Sequence, residues 1–121
     1  MQQHFISYGL IATMENVHTR SVLAASFSPQ GNLLASAGKD NTIILWNITA
    51  ALSGARGEDA VYMLVSGHTD QVNSLQFSPD GCNLSSVSED WSIKIWKIFN
   101  AKGESGHDDF ELLAIPTFED F

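Results

Sequence analysis

Histidine, serine and aspartate, the residue types of a nucleophilic triad, occur as two sets in this chain of 121 residues. In a triad the serine attacks the substrate, the histidine moves the proton and the aspartate orients the histidine. Each set also contains a tryptophan, and the second set repeats the first 50 positions later. The sets are His18, Ser36, Asp40 and Trp46, and His68, Ser86, Asp90 and Trp96.

The duplication favours a structural role for these side chains over catalysis. An active site is seldom built twice in one chain, whereas a structural element recurs with each repeat. An indole N–H donates only, a serine hydroxyl accepts and donates, and a histidine can connect the serine to a carboxylate. These residue types are thus chemically compatible with a structural role, and we expect no enzyme activity and no cofactor.

Two alternatives use the same residues differently. A hydrolase would use the serines as nucleophiles, and a metal protein would use the histidines as ligands. His18 and His68 stand at no short ligand spacing typical of a metal site, so we expect no metal. The third alternative is a product without a stable independent function.

The repeat extends well beyond the two sets. Residues 18–48 and 68–98 align without a gap, and 13 of the 31 positions are identical. Short apolar runs predict strands at 22–27, 33–38 and 43–48, and again at 72–77, 83–88 and 93–98. Between the first two runs lies Ser28-Pro29-Gln30-Gly31, in which proline presets φ and glycine supplies a positive φ. No helical periodicity occurs, so we predict no helix.

A further strand belongs to the pattern. Residues 60–66 and 110–116 are apolar runs at the same separation of 50, and residues 10–16 lie 50 positions before the first of them. A unit therefore has four strands, and the run at 10–16 is one outer strand with no strands before it.

The pattern resembles the WD-repeat family of β-propellers. The resemblance rests on Gly67-His68, on residues 77–81 (Phe-Ser-Pro-Asp-Gly), and on Ser86, Asp90 and Trp96. It implies an all-β fold of two four-stranded antiparallel blades plus one orphan outer strand, an incomplete propeller. It also implies that each His/Ser/Asp/Trp set forms a structural hydrogen-bond network within its blade. The departures are Asn47 and Lys97 after the tryptophans, Val17 before His18, and a long period whose excess falls in loops 49–59 and 99–109.

The resemblance divides the chain into four segments. Residues 1–17 form the outer strand of a preceding blade, 18–66 the first repeat, 67–116 the second, and 117–121 a tail. A propeller closes so that each blade covers its neighbours, and two blades cannot close a ring. The chain is then a fragment or truncated isoform of a longer propeller protein, which we favour, or it self-assembles, or it completes another protein's ring.

Composition narrows the classes of partner. The 6 basic and 14 acidic residues give a net charge of −8, which disfavours nucleic acid and anionic membrane. A single cysteine is typical of a reducing compartment, and no signal peptide or membrane span is recognised, so we expect an intracellular, cytoplasmic or nuclear location. Because WD-repeat proteins are interaction scaffolds, the resemblance implies other proteins or peptides as partners.

Trp91 is not explained by the structural pattern. Its counterpart in the first unit is Asn41, a residue type that tolerates a left-handed turn. Trp91 either packs on a neighbouring blade or is an exposed anchor of the kind enriched at binding hot spots. The resemblance places it on the face where WD-repeat proteins often bind peptides. The candidate protein-binding face is Arg20, Lys39, Asp70, Glu89 and Trp91.

Overall fold

The computed structural model describes the backbone of residues 6–101, 109–114 and 118–119, and the side chains of residues 6–98. Its strands are β1 (Val22–Phe27), β2 (Leu33–Gly38), β3 (Thr42–Asn47), β4 (Val61–Ser66), β5 (Val72–Phe77), β6 (Asn83–Ser88), β7 (Ser92–Ala101), β8 (Asp109–Ala114) and β9 (Phe118–Glu119). Between β3 and β4 lie a short helix α1 (Ile48–Leu52) and a 3₁₀ turn (Gly57–Ala60).

The strands form two antiparallel sheets, which we call the first and second blade. The first has the order β1-β2-β3-β4, and the second has β5-β6-β7-β8 with β9 also paired to β7. The predicted all-β fold with two blades is therefore confirmed. The outer strands differ in register, because Trp46 pairs with Val61 whereas Trp96 pairs with Ala114, three positions beyond the equivalent residue 111.

The predicted turn chemistry is present in both blades. The N–H of Gly31 donates to the carbonyl of Ser28, and that of Gly81 donates to the carbonyl of Ser78, each over 2.9 Å. Both glycines have a positive φ, 78° and 74°. This backbone conformation favours glycine because it lacks a Cβ, so the same four-residue pattern closes the first hairpin of each blade.

Two predictions for the first part of the chain are wrong. Residues 10–16 form no strand, since a strand needs a neighbour to accept its hydrogen bonds. The third strands, β3 and β7, which would pair with an outer strand, already have partners on both sides. The prediction of no helix fails at α1, which at five residues is too short to show a helical period.

Asn47 accounts for the position of α1. Its side-chain Oδ1 accepts the N–H of Ala50 over 2.9 Å, so it caps the helix at the residue where the strand ends. The equivalent residue in the second blade is Lys97, which cannot cap in this way, and there the strand β7 continues to Ala101. No helix in the described ranges is long and apolar enough to cross a membrane.

The two blades pack face to face through one apolar core. Side chains of β2 and β3 in the first blade, including Leu33 and Leu45, pack against Leu75, Phe77 and Trp96 of the second. Gln30 Nε2 also donates to the carbonyl of Asp80 over 3.0 Å, so the first hairpin turns of the two blades lie side by side. The blades consequently point the same way, with equivalent loops at the same end.

The other face of the first blade is covered by the chain itself. Ile44 and Trp46 lie on that face, and Ala51 of α1 is buried against them. Ala12, Met14 and Val17 pack on the same cluster. The segment predicted as a strand therefore contributes to the fold by covering apolar side chains rather than by pairing.

Among the described side chains, those on the other face of the second blade are partly exposed and more polar, and we call this face the open face. Asn83 and Ser85, which stand where the first blade has buried Leu33 and Ala35, line a shallow groove with Ile95. The same backbone positions thus carry leucine and alanine between the blades and polar residues on the open face.

This difference gives a paired test of the packing. Leu33→Asn should lower the free energy of unfolding by roughly 3–5 kcal/mol, since it removes buried apolar volume and buries an amide. Asn83→Leu, the reciprocal change at the equivalent position, should alter it by less than about 0.5 kcal/mol. Urea denaturation of both variants measures this, and equal losses would contradict the assigned faces.

Candidate functional site

The first His/Ser/Asp/Trp set is brought together as a continuous chain of side chains. His18 precedes β1, Ser36 lies in β2, and Trp46 lies in β3. His18 Nδ1 is 2.9 Å from Asp40 Oδ2, and His18 Nε2 is 2.6 Å from Ser36 Oγ. Trp46 Nε1 donates to the same Ser36 Oγ over 2.7 Å. The four residues therefore connect the loop before β1, two strands and the β2–β3 turn.

The donors and acceptors of this chain agree in only one direction for a neutral histidine. Because the indole of Trp46 can only donate, Ser36 Oγ accepts that hydrogen bond, and the Ser36 hydroxyl donates its own hydrogen bond to Nε2 of His18. The neutral ring then carries its proton on Nδ1 and donates to Asp40. The tautomer follows from these partners. The hydrogen bonds of the first set thus agree in direction from Trp46 to Asp40.

The second set has the same geometry. His68 Nδ1 is 2.8 Å from Asp90 Oδ2, His68 Nε2 is 2.6 Å from Ser86 Oγ, and Trp96 Nε1 donates to that hydroxyl over 2.9 Å. Identical contacts at a separation of 50 residues show that the two blades build the same network independently.

Further groups hold each aspartate, and the sequence reasoning missed them. The backbone N–H groups of Thr19 and Thr69 donate to Asp40 and Asp90 over 3.1 Å. Ser92 Oγ donates to Asp90 Oδ1 over 2.5 Å, and the N–H of Thr42 reaches Asp40 Oδ1 over 3.3 Å. The recurrence of a threonine after each histidine, and of a hydroxyl residue two positions after each aspartate, was the available signal.

These contacts stabilise the ionised carboxylates. Burial alone would raise the pKa of Asp40, but hydrogen bonds from His18 and the Thr19 N–H outweigh it and place the pKa below its ordinary value. Burial opposes ionisation at Asp90 too, yet the hydrogen bonds from Ser92 and His68 hold the pKa of Asp90 well below that of a free aspartate.

The arrangement has the order of a triad but leaves the serine no room to react. Ser36 and Ser86 are 6% and 0% exposed. Each Oγ is already bound by an indole N–H on one side and an imidazole on the other. A nucleophile must reach a substrate carbonyl, and these hydroxyls face the interior of the blade. Among the described side chains no group of metal-ligating residues is found.

Glycine and valine before the two histidines have local reasons. A Cβ at Gly67 would lie 2.6 Å from the Cη2 atom of Trp96, so the indole leaves space only for glycine. At the equivalent position in the first blade, Val17 instead packs on the cluster that contains Trp46. Valine therefore replaces glycine at a position where the side chain helps to cover Trp46 on the outer face of the first blade.

The five candidate binding residues lie on the β2–β3 turn of the first blade, the β6–β7 turn of the second, and the loops beside them. The N–H of Lys39 donates to the carbonyl of Ser21, and that of Glu89 to the carbonyl of Gln71, so each turn is joined to the loop before its first strand. Because the blades point the same way, both turns are at one end. The side chains of all five residues are exposed: Arg20, Lys39, Asp70, Glu89 and Trp91.

The structural role of the network is tested by Ser86→Ala. The free energy of unfolding should fall by about 1–3 kcal/mol, because the N–H of Trp96 and Nε2 of His68 lose their partner. Ser85→Ala is the matched control, since the adjacent hydroxyl makes only a 3.3 Å bond to the carbonyl of Gln76. Chemical denaturation compares the two, and a Ser86→Ala protein as stable as the control would rule the role out.

Comparisons with known proteins agree with this geometry. A model of the WD domain, G-beta repeat, matches residues 10–47 and 60–97, more than half of the chain. The protein Mut11 of Chlamydomonas reinhardtii is 51% identical over 39 residues, which is 32% of this chain and 10% of Mut11.

Solved structures give the same result for the fold. The structure of U3-55K and the crystal structure of the RRP9 WD40 repeats each match with a TM-score of 0.61 and 25% identity. The match covers 85% of this chain and 26% of each of those chains, so this chain spans about a quarter of the structures and about a tenth of Mut11. With the family model matched over both repeats, the chain belongs to the WD-repeat family.

Proposed function

We propose that the chain is the protein-binding part of a WD-repeat scaffold and that it binds through the end formed by Arg20, Lys39, Asp70, Glu89 and Trp91. The observation that carries this is the division between the two groups of polar residues. The His/Ser/Asp/Trp sets are turned inward and saturated with hydrogen bonds, whereas the five residues at the turns are exposed. Of these two groups, only the residues at the turns have side chains free to contact a partner.

The same observations support a scaffold rather than an enzyme. The buried position of Ser36 and Ser86 and their bonds to tryptophan argue against a hydrolase. The net charge of −8 favours proteins or peptides as partners over nucleic acid or an anionic membrane. The single cysteine, Cys82, is exposed and unpaired, which supports an intracellular location.

We further propose that the two blades belong to a longer propeller. The share of the matched structures that this chain covers supports this arrangement, as does the open face of the second blade. The division into repeats at 18–66 and 67–116 is part of the same proposal. Self-assembly of several copies, or insertion into another protein's ring, is the second arrangement to compare by light scattering.

The binding end is tested by co-purification from cell extract with two variants of unchanged net charge. In one, Arg20, Lys39, Asp70 and Glu89 are all replaced by alanine. In the other, Arg56 and Glu58 are replaced by alanine. These two residues lie between β3 and β4, at the opposite end of the blade.

Proteins retained by the unmodified chain should be lost with the first variant and kept with the second, as measured by quantitative mass spectrometry. Both variants should keep the melting temperature of the unmodified chain, because the replaced side chains are exposed. Partners lost only with the opposite-end variant, or kept with both, would contradict the proposal.

A further inference from the structure

Trp91 occupies a backbone conformation that its side chain does not favour. Its φ is 74°, in the left-handed region, where a bulky residue is rare. The equivalent Asn41 has φ 66° and is of a type that accepts this region readily. The side chain of Trp91 is 80% exposed, so no packing within the described residues compensates. Trp91 therefore has an unfavourable backbone conformation, and its side chain gains little from packing.

The charges around this turn are the inverse of those in the first blade. Arg20 and Lys39 of the first blade stand where the second has Asp70 and Glu89, 50 positions later. One end of the molecule thus carries cations on the first blade and carboxylates on the second. Trp91 is on the carboxylate side.

The indole and the two acidic residues line one shallow groove. Asp70, Gln71, Ser88, Glu89 and Trp91 form its walls. The Ser88 hydroxyl is bound within the fold, since it donates to the backbone carbonyls of Asp70 and Gln71. Together with the bond from the N–H of Glu89 to the carbonyl of Gln71, these bonds tie the loop before β5, which contains Asp70, to the turn that contains Glu89.

We propose that this groove binds the cationic side chain of an arginine or lysine in a basic segment of a partner protein. A guanidinium or ammonium group is attracted to the face of an indole, and most strongly to tryptophan. The carboxylates of Asp70 and Glu89, which line the same groove, supply the complementary charge, which also speeds encounter with a basic segment. This inference rests on the proposed function and adds the chemistry of the partner.

The sequence of the first blade supplies the substitution that separates binding from folding. Trp91→Asn replaces the indole with the residue found in the same conformation at Asn41. The melting temperature should stay the same or rise by a few degrees, because asparagine accepts a left-handed turn better than tryptophan. A purely structural Trp91 predicts the opposite, a loss of stability.

Binding is measured with a short fluorescein-labelled peptide of alternating arginine and glycine, and with the glutamate–glycine peptide as the negative probe. Fluorescence anisotropy gives the dissociation constant. The intrinsic fluorescence of the unlabelled peptide complex reports on Trp91 directly, since Trp46 and Trp96 are 1% and 4% exposed.

The arginine–glycine peptide should bind the chain, more weakly as salt is added, and the glutamate–glycine peptide should not. Trp91→Asn should weaken binding at least about tenfold, and Trp91→Tyr, which keeps an aromatic face, should weaken it less. Asp70→Arg with Glu89→Lys should abolish binding. Glu58→Lys with Asp59→Lys changes the net charge by the same amount at the opposite end and should leave binding intact.

Three results would overturn the proposal. One is no binding of the arginine–glycine peptide to the unmodified chain. Another is equal weakening by the two charge-changing variants, which would assign the effect to net charge. The third is dimers of the chain that Arg20→Asp with Lys39→Glu abolishes, which would assign the groove to a second copy. If the peptide fails to bind while the alanine variant of the turns still loses partners, only this inference falls and the proposed function stands.

Discussion

A buried tryptophan side chain brings with it an N–H that must find an acceptor, because an unpaired polar group in the interior costs free energy. In both blades that acceptor is a serine on the neighbouring strand, and the serine in turn needs an acceptor for its own proton. The histidine accepts the serine's hydrogen bond, and its other ring nitrogen donates to an aspartate in a turn of the same blade. This network of hydrogen bonds connects the strands and loops of each blade.

The consequence is that identical networks sit in different surroundings. Trp96 lies in the core between the blades, whereas Trp46 is covered by α1 and the segment before His18. The network tolerates both because its hydrogen bonds run within one blade. What varies from blade to blade is the residue on the opposite face and at the turns, as Leu33 and Asn83 show for packing. The positions of the stabilising network are therefore separate from the turn positions at which we propose binding.

Much of the fold could be predicted from the 50-residue repeat, since apolar runs that recur with their turns indicate strands. The resemblance to the WD-repeat family also pointed to the four residues that lie in hydrogen-bond contact in each blade, and their donor and acceptor types are compatible with such a chain. The remaining features depend on contacts that a sequence does not display. Whether residues 10–16 pair depends on a neighbour, and the repeat itself gives no sign of the shifted register of β8.

Two local features fall between these cases. Asn47 was noted as a departure, and its capping role follows from the residues after it, but a helix as short as α1 has no period to detect. The unusual residue at Trp91 was likewise visible, while its exposure and positive φ required the structure. At positions where the two repeats differ, the structure therefore gives the information on conformation and contacts that the sequence pattern lacks.

Hydrogen exchange of the three indole N–H groups, followed by NMR on the nitrogen-labelled chain, tests the central claim most directly. The N–H groups of Trp46 and Trp96 should exchange slowly, only when a blade opens, because each donates to a buried serine. That of Trp91 should exchange at nearly the rate of a free indole. Equal and fast exchange of all three would contradict the claim that the buried indole bonds hold each blade together.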